Sequence, residues 1–320
     1  MFELIKDVED LKVTYADLLI EHASMNERIV IVEADLMKSC GIDTFRELFP
    51  ERTFDVGVAE ANMISMAAGM ANMGKIPFTQ TFAIFASHRC LDQINLSVAY
   101  AGMNVKMCGS DPGITTELNG GTHECMDDVG IMRAIPTMTV FEPVDCMSLR
   151  KMFPQLVEHV GPVYIRLLRG RTERFYQEQD EIVLGKGNRL RAGRDVTIFA
   201  TGIMLSEAIR AANVLEQEGV ETDIIHIHTL KPLDKELIVE SVRKTGCAVT
   251  AENGTIYNGL GSAVSEVLVE YYPAPLKRIG VQDRFGEIGH VEELKVVMHM
   301  SFTDIVNAAK EVIQRKVKKD

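Results

Sequence analysis

Residues 54–82 read FDVGVAEANMISMAAGMANMGKIPFTQTF. A short apolar strand (54–58) runs into a helix of small residues (60–73), the Gly74-Lys75-Ile76-Pro77 step stops that helix, and a second strand (77–82) follows. Strand, helix and strand in this order build a parallel sheet. Working outward, residues 11–25 place Leu11, Tyr15, Leu18, Leu19 and Ala23 at helical spacing, and Ile29-Val30-Ile31-Val32 has the all-apolar character of a buried parallel strand. Downstream, the pattern predicts a helix over 87–101, a strand over 105–108, and a loop over 109–127 that is too long and too polar for a mere connector. Such loops at strand ends are where α/β proteins keep their chemistry. A further strand (138–141), helix (144–160) and strand (162–167) continue the succession.

Residues 170–194, GRTERFYQEQDEIVLGKGNRLRAGR, turn charged and glycine-rich and mark a boundary. Beyond it, strands at 195–201, 223–228 and 247–252 alternate with helices at 204–219 and 233–245, and a glycine-rich loop (253–261) leads into a helix at 262–272. The expected architecture is α/β: a mainly parallel sheet flanked by helices over residues 1–180, followed by a smaller α/β domain over 190–320.

A chain of 320 residues suits two such domains, and 46% hydrophobic with 25% charged residues is a globular composition. The balance of 34 Lys and Arg against 46 Asp and Glu, net −12, leaves no basic footprint for nucleic acid outside Arg315, Lys316, Lys318 and Lys319, which read as a cap on the last helix. Six dispersed cysteines offer no zinc-ligand spacing and read as reduced thiols, so no metal ligand is expected in the chain. The acidic N-terminus lacks a signal-peptide pattern, and no apolar run reaches membrane-spanning length, so a cytoplasmic protein is expected. The 17 methionines serve as flexible core filler.

Several constellations bear chemistry. Glu60 stands where a strand gives way to a helix of small residues, a position that the helix dipole alone explains. Gln80-Thr81-Phe82-Ala83-Ile84-Phe85-Ala86-Ser87-His88 sets two phenylalanines and an imidazole three residues apart, enough for one aromatic wall. Gly120-Gly121-Thr122-His123 delivers a histidine on a tight turn, and neutral imidazole both donates and accepts near neutral pH. His226-Ile227-His228 lacks a third ligand nearby and reads as buried strand histidine.

Taken in order, Glu60, the Thr81-Phe82-x-x-Phe85 loop, the Gly120–His123 turn, the Pro162-Val-Tyr-Ile-Arg-Leu167 strand and Asp283-Arg284-Phe285-Gly286 resemble the C-terminal half of transketolase. More specifically, the chain resembles the separate C-terminal subunit of split transketolases, which depend on thiamine diphosphate. The resemblance implies a pyrimidine-binding domain over 1–180, a transketolase C-terminal domain over 190–320, and transfer of a two-carbon ketol unit from a ketose to an aldose. It also implies Mg²⁺ and a partner. In that family the diphosphate and metal are held by a domain with a Gly-Asp-Gly motif, which does not occur in this sequence. An N-terminal transketolase subunit in an α2β2 assembly is therefore expected to hold them. By the same resemblance Glu60 is the carboxylate that bonds the coenzyme's aminopyrimidine. Phe85 stacks on that ring with Phe82 beside it, His88 stands where a tyrosine is usual, Asp35 lies near the coenzyme, and His123 contacts the ketose hydroxyls.

The substrate half departs from the family. Arg169 and Ser39 match two phosphate-binding groups. The Thr-Arg of the family's first helix aligns with Thr14-Tyr15, however, and a loop histidine becomes Asp111, a carboxylate that would repel a phosphate. An aspartate that checks a sugar hydroxyl becomes Asn119. Two readings stay open. Either the ketose is unusual (branched, deoxy, sulfonated or without a terminal anion), or another arginine, such as Arg89, Arg166 or one on the partner, restores an ordinary phosphate site. Rival functions are the β subunit of a 2-oxo-acid dehydrogenase decarboxylating component, a 1-deoxyxylulose-phosphate synthase, and a non-catalytic orphan subunit.

Overall fold

A computed structural model describes residues 4–316. The residues that cap the last helix thus include Arg315, at its C-terminal cap, while Lys318 and Lys319 lie outside the described residues.

Strands β1 (Ile29–Glu33), β2 (Thr53–Asp55), β3 (Ile76–Phe82), β4 (Lys106–Ser110), β5 (Thr139–Phe141) and β6 (Val163–Leu167) pair in parallel. β1, β3, β4 and β6 are buried along their whole length, as their position between helical layers demands. The second sheet holds β7 (Asn188–Arg191), β8 (Val196–Ala200), β9 (Thr222–His226), β11 (Ala248–Thr255) and β12 (Leu276–Val281), in the order β12-β11-β8-β9-β7 with β7 antiparallel. Strand β10 (Thr229–Lys231) leaves the second sheet and pairs antiparallel with β5, giving the first sheet the order β10-β5-β6-β4-β3-β1-β2. No strand is expected there from sequence, since three residues are too few to show a period.

Two hydrophobic cores each draw residues from both sheets. One reaches from Leu11 and Tyr15 through Phe153 and Leu205 to Val312. Arg166 bolts the two sheets together inside this packing. Its Nε donates to Asp128 Oδ2 (2.8 Å), Nη1 to Glu142 Oε1 (2.7 Å) and Nη2 to the Asn253 carbonyl on β11 (2.6 Å). Thr201, just past β8, donates to the other oxygen of Glu142 at 2.7 Å.

Local differences from the expected elements have local causes. The helix expected over 87–101 begins earlier, at Ala83–His88, breaks at Arg89 and Cys90, and resumes at Leu91–Gln93, which runs into a π-helical stretch, Ile94–Tyr100. The glycine-rich segment 253–261 is strand as far as Thr255, and its helix starts at Leu260. Buried Glu252 accepts the backbone N–H groups of Leu260 and Gly261 at 2.7 and 2.8 Å, so a carboxylate already fills the helix N-terminus where a phosphate would otherwise sit. His226 and His228 are fully buried on the strand side. Burial pushes both imidazoles down; Thr229 and Asn188 engage both nitrogens of His228, whereas Tyr176 meets only Nδ1 of His226 and leaves its Nε2 without a hydrogen bond.

Candidate active site

The carboxyl ends of β1, β3, β4 and β6 point the same way, so the loops that follow them converge. Asp35 follows β1, Phe82 ends β3 with Phe85 just beyond it, Asp111 and His123 follow β4, and Arg169 follows β6. Glu60 opens the helix Glu60–Asn72 after β2.

One group forms around an aromatic wall. The Phe82 and Phe85 rings stack at 5.9 Å, and His123 meets both edge-on at 6.3 and 5.5 Å. His123 Nδ1 is hydrogen-bonded to Thr122 Oγ1 at 2.9 Å. Because 83–88 is helical, Phe85 and Arg89 lie about one turn apart, and the Arg89 guanidinium covers the Phe85 ring at 3.9 Å. The same guanidinium donates from Nη1 to Glu60 Oε1 at 2.8 Å, and Glu60 is only 4% exposed. Glu60, Arg89, Phe85, Phe82 and His123 are therefore one continuous contact chain.

His88 points elsewhere. Its Nε2 meets Asp127 Oδ1 at 2.8 Å, and that hydrogen bond raises the imidazole above its ordinary range while holding the Asp127 carboxyl below its own. His88, Asp127 and the buried Cys125 thiol bring one possible ligand atom each within 4.8 Å of one another. Ser87 Oγ contacts the Cys125 thiol at 3.3 Å, and burial pushes that thiol well above the usual range. His88 and Arg89 face an open cleft of about 1410 Å³, which Tyr257, Arg284 and Phe285 of the second domain also line. Glu124 also lines it, 4% exposed, and burial pushes its carboxyl up to about 7. The backbone of Gly286 packs so closely on Glu124 that a Cβ there would fall 1.6 Å from Oε2.

A second group sits beyond Phe82. Lys12 Nζ lies 5.9 Å from the Phe82 ring centroid and 2.6 Å from Asp111 Oδ2, and Arg169 Nε approaches the other carboxylate oxygen at 3.5 Å. The Ser39 carbonyl accepts from Lys12 Nζ at 3.1 Å. This corrects two expectations. The first helix does bring a cation to this cluster, Lys12, whereas Tyr15 is fully buried in the core against Phe153 at 5.8 Å. Nor is Asp111 an unscreened carboxylate, since two cations face it. A third expectation falls too: Arg166 is 1% exposed and fully engaged in the interdomain bolt, so it is not available to a substrate anion. Arg89 belongs to the Glu60 group, away from the anion cluster.

Asp35 is exposed, with a left-handed backbone (φ 58°) whose N–H bonds Asp55. Asn119 is exposed at the end of the turn Gly113–Asn119. That turn is held from the second domain: Asn253 Oδ1 accepts from Ile114 N at 3.0 Å, and Nδ2 donates to the Pro112 carbonyl at 3.0 Å. Sequence reasoning missed Lys12, Glu124, Asp127 and Asn253. Lys12 had one local signal, the N-cap Asp10 that accepts from its N–H and starts the helix there.

The fold and this site define a two-domain α/β protein whose functional groups gather at the carboxyl edge of a parallel sheet. Residues 10–174 match the transketolase pyrimidine binding domain and residues 185–305 the transketolase C-terminal domain. The chain belongs to the transketolase family, whose members depend on thiamine diphosphate. It is 55% identical to a 6-deoxy-6-sulfo-D-fructose transketolase subunit of Clostridium sp. (strain MSTE9), over 98% of each chain. It is 31% identical to an apulose-4-phosphate transketolase subunit of Phocaeicola vulgatus, over 94% of this chain and 97% of that one. Among solved structures, a split gene transketolase described as an inactive β4 tetramer superposes with a TM-score of 0.88 at 39% identity, covering 96% of this chain and 99% of that one. Among the described residues, no helix is long and apolar enough to cross a membrane.

Proposed function

We propose that this chain is the C-terminal subunit of a two-chain transketolase, acting in the cytoplasm to move a two-carbon ketol unit from a sulfonated ketose to an aldose. The observation that carries this reading is the contact chain from Glu60 through Arg89 and Phe85 to His123 and Phe82, with the cations Lys12 and Arg169 flanking Asp111 beyond Phe82. The sulfonate is suggested by the relative that is 55% identical over nearly its whole length and is named for a sulfonated ketose.

The residues present fit a thiamine coenzyme. A flat aminopyrimidine needs an aromatic face and a nearby acceptor for its N–H, and the planar Arg89 guanidinium finds both here, stacked on Phe85 and bonded to Glu60. When bound, thiamine diphosphate supplies the nucleophilic carbon for ketol transfer. Glu60 accepts the ring N–H at the carboxylate that Arg89 now engages. Phe85 and Phe82 provide the stacking wall, with Asp35 at the same sheet edge and His88 turned away toward Asp127 on the cleft side. His123, edge-on to both rings, exchanges hydrogen bonds with the ketose hydroxyls, and Asn119 reads one of them. Arg169 and Lys12, with Ser39 beside them, hold the terminal anion, since a guanidinium presents paired donors to an oxyanion.

The diphosphate and Mg²⁺ are proposed to be held by an N-terminal subunit, in an α2β2 complex. A relative named as a subunit and a split-gene structural neighbour support a partner of this kind. In this scheme residues 1–180 form the pyrimidine-binding domain and 190–320 the transketolase C-terminal domain. The test is co-expression with the N-terminal subunit, followed by a screen of ketose donors and aldose acceptors with thiamine diphosphate and Mg²⁺. A sulfonated ketose is expected to be the best donor. Equal or better turnover of xylulose 5-phosphate would overturn that choice.

A further inference from the structure

The cluster of Lys12, Asp111 and Arg169 carries a finer reading, which rests on the sulfonated-ketose function proposed above. We propose that Asp111 is a specificity-determining residue that tunes the terminal-anion subsite to a singly charged group and against the doubly charged phosphate. Its position leaves it little freedom. Asp111 is 1% exposed, its backbone takes the left-handed conformation (φ 56°), its N–H donates to the Leu167 carbonyl at 3.0 Å, and its carbonyl accepts from Thr116 Oγ1 at 2.6 Å. The carboxylate is thus held between β4 and β6 while Lys12 and Arg169 approach one oxygen each.

Charge counting gives the consequence. Two cations and one carboxylate leave a net charge of +1, and among the described residues no other ionised side chain pairs with any of the three. The Arg169 side chain stays 44% exposed, so it can still turn donors toward an incoming anion. A sulfonate carries one negative charge across the accessible pH range and matches that subsite. A phosphate monoester, whose second ionisation lies near pH 6, carries close to two at neutral pH, and the additional charge meets the buried Asp111 carboxylate. Sulfonate and phosphate oxygens are similar acceptors, and although the ester oxygen gives the phosphate a longer reach, charge is the property that Asp111 itself can read.

The test uses the reconstituted two-chain enzyme with thiamine diphosphate and Mg²⁺. It compares kcat/KM for 6-deoxy-6-sulfofructose, fructose 6-phosphate and fructose in wild type and Asp111→Asn. The sulfonate-to-phosphate ratio is expected to fall about tenfold or more in the variant, through KM, because one repulsive charge is removed. A ratio unchanged within about twofold, or equal losses for both anions, overturns the proposal. If Asp111→Asn does not assemble by gel filtration, Asp111→Ser is read the same way, and failure of both to assemble makes Asp111 a structural residue and ends the proposal. If wild type ignores the sulfonated ketose while Asp111→Asn still raises phosphate over fructose about tenfold, the substrate reading falls and the charge-tuning role stands.

Discussion

Glu60 and Arg89 engage each other at 2.8 Å, and under the proposed function the carboxylate is the less replaceable of the two, as the acceptor for the coenzyme's ring N–H. Glu60→Gln is expected to remove most turnover of the reconstituted enzyme while leaving its melting temperature and assembly intact; near-wild-type activity would refute the assignment. Glu124 supplies a pH-dependent prediction. Its carboxyl is raised from the ordinary 4.5 to about 7 by burial, so the folded chain binds this proton more tightly than the unfolded chain does. The stability it contributes is full below pH 4.5 and is lost as pH rises through 7. Glu124→Gln is expected to melt higher than wild type at pH 8, with the difference shrinking toward pH 5, in paired thermal scans. His88 shifts upward because of its hydrogen bond to Asp127, and Asp127→Asn should return its imidazole toward the ordinary range in an NMR titration. Both side chains are about half exposed, so the effect belongs to titration and little of it to stability.

Among elements, the turn Gly113–Asn119 shows how the second domain serves the first. The Asn253 amide on β11 accepts from the Ile114 N–H and donates to the Pro112 carbonyl, which Thr115 of the turn also engages. Asn253→Ala leaves the buried Ile114 N–H unpaired, at a cost of about 1–3 kcal/mol, and should raise amide exchange at Ile114 selectively. At this scale the strand and helix succession of the first domain was legible, because period and apolar runs are local properties: β1, β3, β4 and β6 each appear as short apolar segments. The onset of the helix at Ala83 was not. Phe82 carries no side-chain capping bond, so no capping residue marks the start. Strand β10 escaped as well, since its three residues form a strand only because β5 offers an edge.

Across the whole molecule, the buried Arg166 cluster joins β6, the helix Asp128–Ala134 and β11 into one unit. Arg166→Met strands the carboxylates of Asp128 and Glu142 without their counter-charge, and a loss of about 3–5 kcal/mol is expected in urea denaturation. A shift below about 1 kcal/mol would mean that the cluster is not a stability determinant. The sequence alone determined that this is a two-domain α/β chain, that it is acidic and without a nucleic-acid footprint, and that Glu60, Phe82, Phe85 and His123 recur in transketolase order. Those facts reside in composition, period and motif order, which need no third dimension. Only the tertiary structure decided which cation meets which anion. Lys12 and Tyr15 lie three residues apart on one helix, yet one faces Asp111 and the other is fully buried against Phe153. Arg166 and Arg169 are equally close in sequence, yet one is fully spent between two domains and the other remains half exposed beside Asp111. Such assignments follow from the direction each Cα–Cβ bond takes once sheets and helices have packed, and a linear alignment does not contain that direction.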